Sequence, residues 1–276
     1  MAQIDKPNTY FNSVLYTGNN TSQSITGVEF QPDWVWLKER NGTESHNLYD
    51  SVRGIYKRLS SDTTGAEYSS NTQLTSFDSD GFSVGSSDAI NDAGNTMVGW
   101  NWKAGGTASS NTDGSITSSV SVSTTSGFSI VTFTGTGANA TVGHGLGVVP
   151  KIIIVKNRNV VTNWIVGGSL IEDVGGSTNN YLLLNENAAM DSATTLYASY
   201  NTDTIGVKTD ANVNGSGNGM VAYCFADVKG FSKFGSYVGN GSTDGTFVYT
   251  GFKPAWLMVK RSSTSGTDWY MFDNKK

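Results

Sequence analysis

Cysteine, histidine and proline are nearly absent from the 276 residues, which hold one Cys, two His and four Pro. A lone Cys224 excludes an intrachain disulfide framework, and two imidazoles with one thiol exclude an ordinary structural zinc site. Charge is also sparse, at 15% of residues against a usual share of about 25%. Gly, Ser, Thr and Asn fill its place, which disfavours long helices and coiled coil. The net charge of −5 leaves no electrostatic footprint for nucleic acid or an anionic membrane. No apolar run approaches the roughly 18 residues of a membrane helix. The N-terminal Met1-Ala2-Gln3-Ile4-Asp5-Lys6-Pro7 has no basic stretch followed by an apolar one. The expectation is therefore a protein made and assembled in a cytoplasm that reaches the outside without a signal peptide.

What the chain does have is glycine, 33 residues of it, and aromatics: seven Trp, twelve Tyr and twelve Phe. That many rings require burial, so the chain is not disordered. One pattern then recurs three times: Pro, any residue, four large apolar residues, Lys. It reads Pro32-Asp33-Trp34-Val35-Trp36-Leu37-Lys38, Pro150-Lys151-Ile152-Ile153-Ile154-Val155-Lys156 and Pro254-Ala255-Trp256-Leu257-Met258-Val259-Lys260. Upstream stand Tyr16-Thr17-Gly18, Phe133-Thr134-Gly135 and Tyr237-Val238-Gly239, with Gly-to-Pro spacings of 14, 15 and 15. Further on, the segment from Asn91 to Trp102 aligns without a gap on that from Asn214 to Phe225, both ending in alternating aromatics.

These matches divide the chain into an N-terminal arm (1–9), a first repeat (10–106), a second (107–228) and an incomplete third (229–276). Apolar runs of four to seven residues bounded by turn clusters read as β throughout. Proline fits a strand start, and the unbroken apolar run after it implies a strand covered on both faces. Ile116, Val120 and Val122 make the Ser/Thr-rich stretch 107–126 an entry strand rather than a linker. Only residues 51–60 and 187–193 leave room for a short helix. The fold expected is all-β: tandem antiparallel, jelly-roll-like β-sandwiches, about two and a half copies.

Chemistry is thin. His46 and His144 occupy non-equivalent positions in different repeats, and the six Glu form no repeated pair. Asp78-Ser79-Asp80-Gly81 with Asp88 and Asp92 resembles a Ca²⁺ loop but lacks the Glu that belongs at the twelfth position, where Ala89 stands just before Ile90, so a turn rich in Asp is the preferred reading. The glycines Gly135, Gly137 and Gly143 precede no helix and serve as turns, not as a phosphate cradle. The pairs Trp34 and Trp36, and Trp100 and Trp102, each share one strand face and suit a sugar-stacking platform. Their counterparts are Ile152 and Ile154 or Tyr223 and Phe225, so the shared demand is bulk in a core. Lys38, Lys156 and Lys260 stand alike at their strand ends, as buried-stem lysines or inter-repeat contacts. No catalytic, cofactor-binding or metal-binding residue emerges, and the chain reads as a non-enzyme without cofactor.

The segments Tyr10-Phe11-Asn12-Ser13-Val14-Leu15-Tyr16-Thr17-Gly18-Asn19, 27–40 and Asp50-Ser51-Val52-Arg53-Gly54 resemble a repeat of tail-fibre and other virion proteins of marine tailed phages, including phages of cyanobacteria. The segments 140–147 and 231–241 are similar to later copies of that repeat. The resemblance implies a structural virion component, a tail fibre or comparable appendage involved in host attachment, and a homotrimer. It further implies docking on other virion proteins through the N-terminal segment and contact with a host surface glycan. The competing classes are a carbohydrate-binding module without a virion role and a glycan-degrading tailspike-type enzyme. On strand count alone, the third repeat cannot close its own sandwich, and Trp256, Leu257, Met258 and Trp269 are expected to stand exposed unless another chain, the second repeat or further residues cover them.

Overall fold

A computed structural model of the chain describes residues 4–275 and is all-β. The first unit runs β1 (Phe11–Thr17), β2 (Gln23–Thr26), β3 (Trp34–Glu39), β4 (Asn47–Asp50), β5 (Lys57–Ser60), β6 (Tyr68–Ser69), β7 (Leu74–Asp78), β8 (Gly81–Val84), the one-turn helix α1 (Asp88–Asn91) and β9 (Thr96–Trp102). These make two antiparallel sheets, β1-β9-β3-β4-β5-β6 and β2-β8-β7. Two strands from the Ser/Thr-rich stretch follow, β10 (Ser109–Asn111) and β11 (Ser118–Ser123). The second unit runs β12 (Phe128–Thr134), β13 (Ala140–Gly143), β14 (Ile152–Asn157), β15 (Ile165–Gly167), α2 (Ser169–Gly175), β16 (Asn180–Leu183), β17 (Asp191–Ser192), β18 (Tyr197–Tyr200), β19 (Thr204–Val207), α3 (Ala211–Asn214) and β20 (Gly219–Phe225). Its strand order repeats the first: β12-β20-β14-β15-β16-β17, extended at β12 by β11 and β10, and β13-β19-β18.

Side chains alternate across each strand, so the two faces of a large sheet bury different residues. One face packs on the small sheet of its own unit. Val35, Leu37, Tyr49 and Phe82 fill that space in the first unit, and Val131, Ile153, Val155, Tyr197 and Ile205 in the second. The opposite faces of the two large sheets pack on each other, Trp34, Trp36, Trp100 and Trp102 against Phe128, Ile154, Trp164 and Tyr223. The stack therefore has four layers and three cores. β3 and β14 are covered on both faces because the second cover is the other unit, which periodicity within one repeat could not reveal; the third Pro-to-Lys strand leaves Leu257 exposed.

Each of these strands begins two residues after its proline, at Trp34, Ile152 and Trp256. Three residues before each proline the backbone is left-handed, at Glu29 (φ 72°), Gly147 (φ 69°) and Gly251 (φ 83°). Glycine is the residue that adopts this turn without strain, and only the first unit places a side chain there. Asn91 and Asn214, at the head of the aligned segments, are fully buried. Asn91 Nδ2 donates to the carbonyls of Thr21 and Gly85, and Asn214 Nδ2 to those of Ala138 and Lys208. One amide thus pins three chain segments at the same place in each unit.

The helices lie elsewhere than expected. Residues 51–53 make a single turn in which Asp50 Oδ1 accepts from the Arg53 N–H at 2.8 Å, and left-handed Gly54 and Tyr56 end it before β5. Residues 187–193 give their backbone to other partners: Met190 N–H donates to the Ser262 carbonyl, and Asp191 pairs with Tyr181. The longest helix, α2, is seven residues long and stops at left-handed Gly176, whose N–H bonds to the Glu172 carbonyl.

After β20 the chain forms one hairpin, β21 (Trp256–Val259) with β22 (Tyr270–Asp273). Of the side chains expected to need a cover, Trp256, Met258 and Trp269 pack, with Met271, against the core between the two large sheets, and Leu257 alone of the named four stays exposed. Of the N-terminal arm, residues 1–3 lie outside the described residues. Ile4 is buried, and Lys6 and Asn8 both bond to Glu29.

Candidate functional site

The densest chemistry lies where the two units meet. Trp34 stacks on Tyr223 with ring centroids 4.5 Å apart and on Phe128 at 5.6 Å, while Trp102 lies beside it at 4.5 Å. Cross-strand register puts Trp34 opposite Trp102 and Trp36 opposite Trp100, just as Ile152 and Ile154 lie opposite Phe225 and Tyr223. All four tryptophans of the two candidate platforms are buried, so none offers a ring to a sugar. Burying rings of this size contributes about 1.5–3 kcal/mol each, and favourable ring pairs add about 0.5–1.5 kcal/mol.

A polar network crosses the same seam. Arg53 and Asp50, both with fully buried side chains, meet at 2.5 Å, and the Tyr223 hydroxyl of the second unit donates to Asp50 Oδ2 at 2.7 Å. The guanidinium also donates to the carbonyls of Leu48 and Lys57 and to Glu67 Oε2. From the other unit Arg158 grips Glu67 with two bonds of 2.9 Å. Burial alone would raise the Glu67 carboxyl, but the bonds from Arg158 and the charge of Arg53 outweigh it and hold the group at about 2. Burial would lower Arg53, yet Asp50, Tyr223 and Glu67 reverse that and keep it charged. No local motif announces this network, because its members are single charges spread over more than a hundred residues.

The remaining sequence candidates have structural partners. Lys156 is fully buried and donates to the carbonyls of Thr162 (2.7 Å) and Thr64 (3.0 Å), the latter in the other unit; burial lowers its ammonium to about 8. Lys38 and Lys260 reach carbonyls of Gly42 and Thr267 in the loops after their own strands, so the repeated lysine ties down the hairpin loop that follows it. His144 is fully buried: its Nε2 faces the Asn201 carbonyl at 3.1 Å and its Nδ1 accepts the Leu146 N–H at 3.2 Å. With one nitrogen donating and one accepting, the ring is held neutral, and burial lowers its pKa. Asp80 accepts the N–H groups of Gly27 and Glu29, and Asp78 and Asp92 bond to Ser83 and Asn95. The Asp78–Gly81 stretch is the β7–β8 turn. Cys224 is buried, and burial pushes its thiol up to about 12. Among the described residues no group of three or more His, Cys, Asp or Glu is arranged to hold a metal ion.

One open cleft, about 300 Å³, joins the first unit to the third-segment hairpin. Glu39, Arg40, His46, Trp100 and Trp269 line it. The Trp36 indole donates to His46 Nδ1 at 2.9 Å, and the Trp100 indole donates to Asp273 Oδ2 at 3.0 Å. His46 is thus placed by a core tryptophan, and no sequence signal connected it with Asp273.

Taken together, these features define a tandem β-sandwich protein with a fused interface between its units. The chain belongs to the family described as Domain of unknown function (DUF7483), which matches it over residues 6–276. No curated protein and no solved structure matches it.

Proposed function

We propose that this protein is a non-enzymatic structural component of a tailed-phage virion, a tail fibre or comparable appendage that takes part in host attachment. The observation that carries the reading is how the ionisable groups are used. Arg53, Glu67, Arg158 and Lys156 join one unit to the other, and His144 and Asp80 fix loops, so these groups serve assembly rather than turnover. A rigid Gly-, Ser- and Thr-rich β stack suits a particle released by lysis, and the resemblance of segments 10–19, 27–40 and 231–241 to phage fibre repeats supports the same assignment. In this reading the chain is a trimer, docks on other virion proteins through its N-terminal segment and meets a host surface glycan.

Mass spectrometry and antibody labelling of purified particles test the proposal. The protein is expected in intact particles, at a fixed copy number and at an external appendage. Its absence from particles, or turnover of host polysaccharide by the purified chain, would overturn the reading.

A further inference from the structure

The face of the second unit's large sheet that packs on the first unit changes character toward one end. Residues directly opposite each other on antiparallel strands share a face, so this one can be followed row by row. Ser121, Ile130, Tyr223 and Ile154 stand in one row, and all are buried. The next row runs Ser110, Ser119, Thr132, Val221 and Lys156; its last two members are buried at the seam, while Ser119 and Thr132 are half-buried and Ser110 is exposed. In the row beyond, Thr134 stands opposite Gly219, whose carbonyl accepts the Arg158 N–H at 2.9 Å. Leu15 holds the position of Thr132 in the first unit, and β10 and β11 have no counterpart among its described strands. The run of hydroxyls is therefore peculiar to the second unit.

These rows floor an open trough of about 400 Å³. Neighbouring hydroxyls are used inside the protein: Ser121 Oγ donates to the Gly106 carbonyl and Ser118 Oγ to that of Gly143. Those of Ser110, Thr117, Ser119, Thr132 and Thr134, which line the trough, bond to no group among the described residues. Arg158 is the one charged residue in the lining. Glu67 engages its Nε and Nη2, both at 2.9 Å, and so fixes the plane of the guanidinium. Nη1 has no partner among the described residues and lies over the floor, 3.6 Å from where a Cβ on Gly219 would stand. Glu67 also serves Arg53 and Lys57, so it does not fully neutralise Arg158.

We infer that this trough is a saccharide site that takes an acidic glycan, a chain of hydroxyl-rich rings carrying a carboxylate or a sulfate ester. A Ser or Thr hydroxyl donates and accepts at one atom, which matches the hydroxyls of a sugar ring. The anionic group falls to Nη1 of Arg158, because a bond between a guanidinium and an oxyanion is charge-assisted and stronger than one between neutral groups. No acidic residue among those described lines the trough to repel such a ligand. Phe133, its one aromatic, is buried, so recognition goes by hydrogen bonds and charge rather than by ring stacking. The inference rests on the part of the functional reading in which the protein meets a host surface glycan, and it gives that contact a place and a ligand class.

The test is calorimetric titration of the whole chain with three hexasaccharides, oligogalacturonate, sulfated maltohexaose and neutral maltohexaose, and with inorganic sulfate. At least one acidic hexasaccharide is expected to bind one to one, about tenfold or more tighter than either neutral maltohexaose or sulfate, and the two acidic arms tell a carboxylate ligand from a sulfate ester. Arg158→Ala should abolish this preference, but it also releases Glu67 at the seam. The double variant Ser119→Ala with Thr132→Val therefore decides. It removes two hydroxyls and no seam bond, and it should weaken acidic binding about tenfold while urea unfolding stays unchanged. Binding of neither acidic probe, equally tight binding of neutral maltohexaose or of sulfate, or acidic binding that the double variant leaves intact would overturn the inference. So would slowed hydrogen exchange in the trough that rises with protein concentration alone, which would make a second copy the occupant. Each of these failures leaves the virion assignment to its own test on purified particles.

Discussion

Replacing Arg53 with Ala removes the one cation that faces both Asp50 and Glu67 inside the seam. Asp50 then keeps the Tyr223 hydroxyl but loses its charge partner at 2.5 Å in a fully buried setting. Removing one member of a buried pair costs about 3–5 kcal/mol, because the remaining charge is left uncompensated. The Leu48 carbonyl also loses its bond from the Arg53 guanidinium, an effect of about 1–3 kcal/mol if nothing replaces it. Glu67 retains Arg158 and Lys57, which limits the damage on that side. The expected loss is about 4–5 kcal/mol, a large fraction of a typical stability. Urea unfolding at pH 7, followed by tryptophan fluorescence and circular dichroism together, measures it and shows whether the two units still unfold in one transition. The double variant Asp50→Asn with Arg53→Met removes both charges and is expected to be more stable than Arg53→Ala. A loss below about 1 kcal/mol for Arg53→Ala, or a double variant less stable than the single one, would refute the argument from an uncompensated buried charge.

Three further outcomes follow from the same geometry. Glu67 is depressed in the folded state, so its contribution is present above the unfolded value near 4.5 and lost as pH falls toward about 2; a Glu67→Gln variant should flatten that limb of the acid-unfolding curve by about 2 kcal/mol after allowance for solvent screening. Trp34→Ala should cost about 3–5 kcal/mol and abolish much of the near-ultraviolet dichroism, since it removes the ring stacked on Tyr223 and packed beside Trp102; a loss under about 1 kcal/mol would mean the seam is not a packed core. Cys224 should stay unreactive toward a thiol reagent at pH 8 in the native protein and react on unfolding, and rapid native labelling would contradict its burial and raised pKa.

Much of the fold was legible because it is written locally. Proline, four apolar residues and lysine mark the strand two residues on, and the Asn-to-aromatic match marks the strand that pairs with it. What covers the second face of that strand was not legible, since the cover is another unit and no pattern within one repeat encodes it. The polar seam was invisible for a related reason: the carboxylate of Asp50 recurs as Asp273 in the third copy but is Gly168 in the second unit, so the two complete units do not share it. The helices were misplaced because one-turn segments such as Ala211–Asn214 carry almost no periodicity, whereas the helix-like stretch at 51–60 is broken by two left-handed residues. His144 is held within its own unit, whereas the cleft that includes His46 arises from a hairpin more than two hundred residues away.

The position of β9 has a consequence for the order of events on the ribosome. It lies between β1 and β3, yet it is the last strand of its unit to be synthesised. At a synthesis rate of about 5–20 residues per second, the interval from β1 to β9 lasts roughly five to twenty seconds, during which the strand that joins β1 to β3 does not exist. The nascent chain must carry two unsatisfied strand edges and a row of indoles through that interval, and then through a second one while β20 is made. Each large sheet therefore closes late, by insertion of an inner strand, so the rate at which this protein reaches its native state is set by long-range pairing rather than by any local turn.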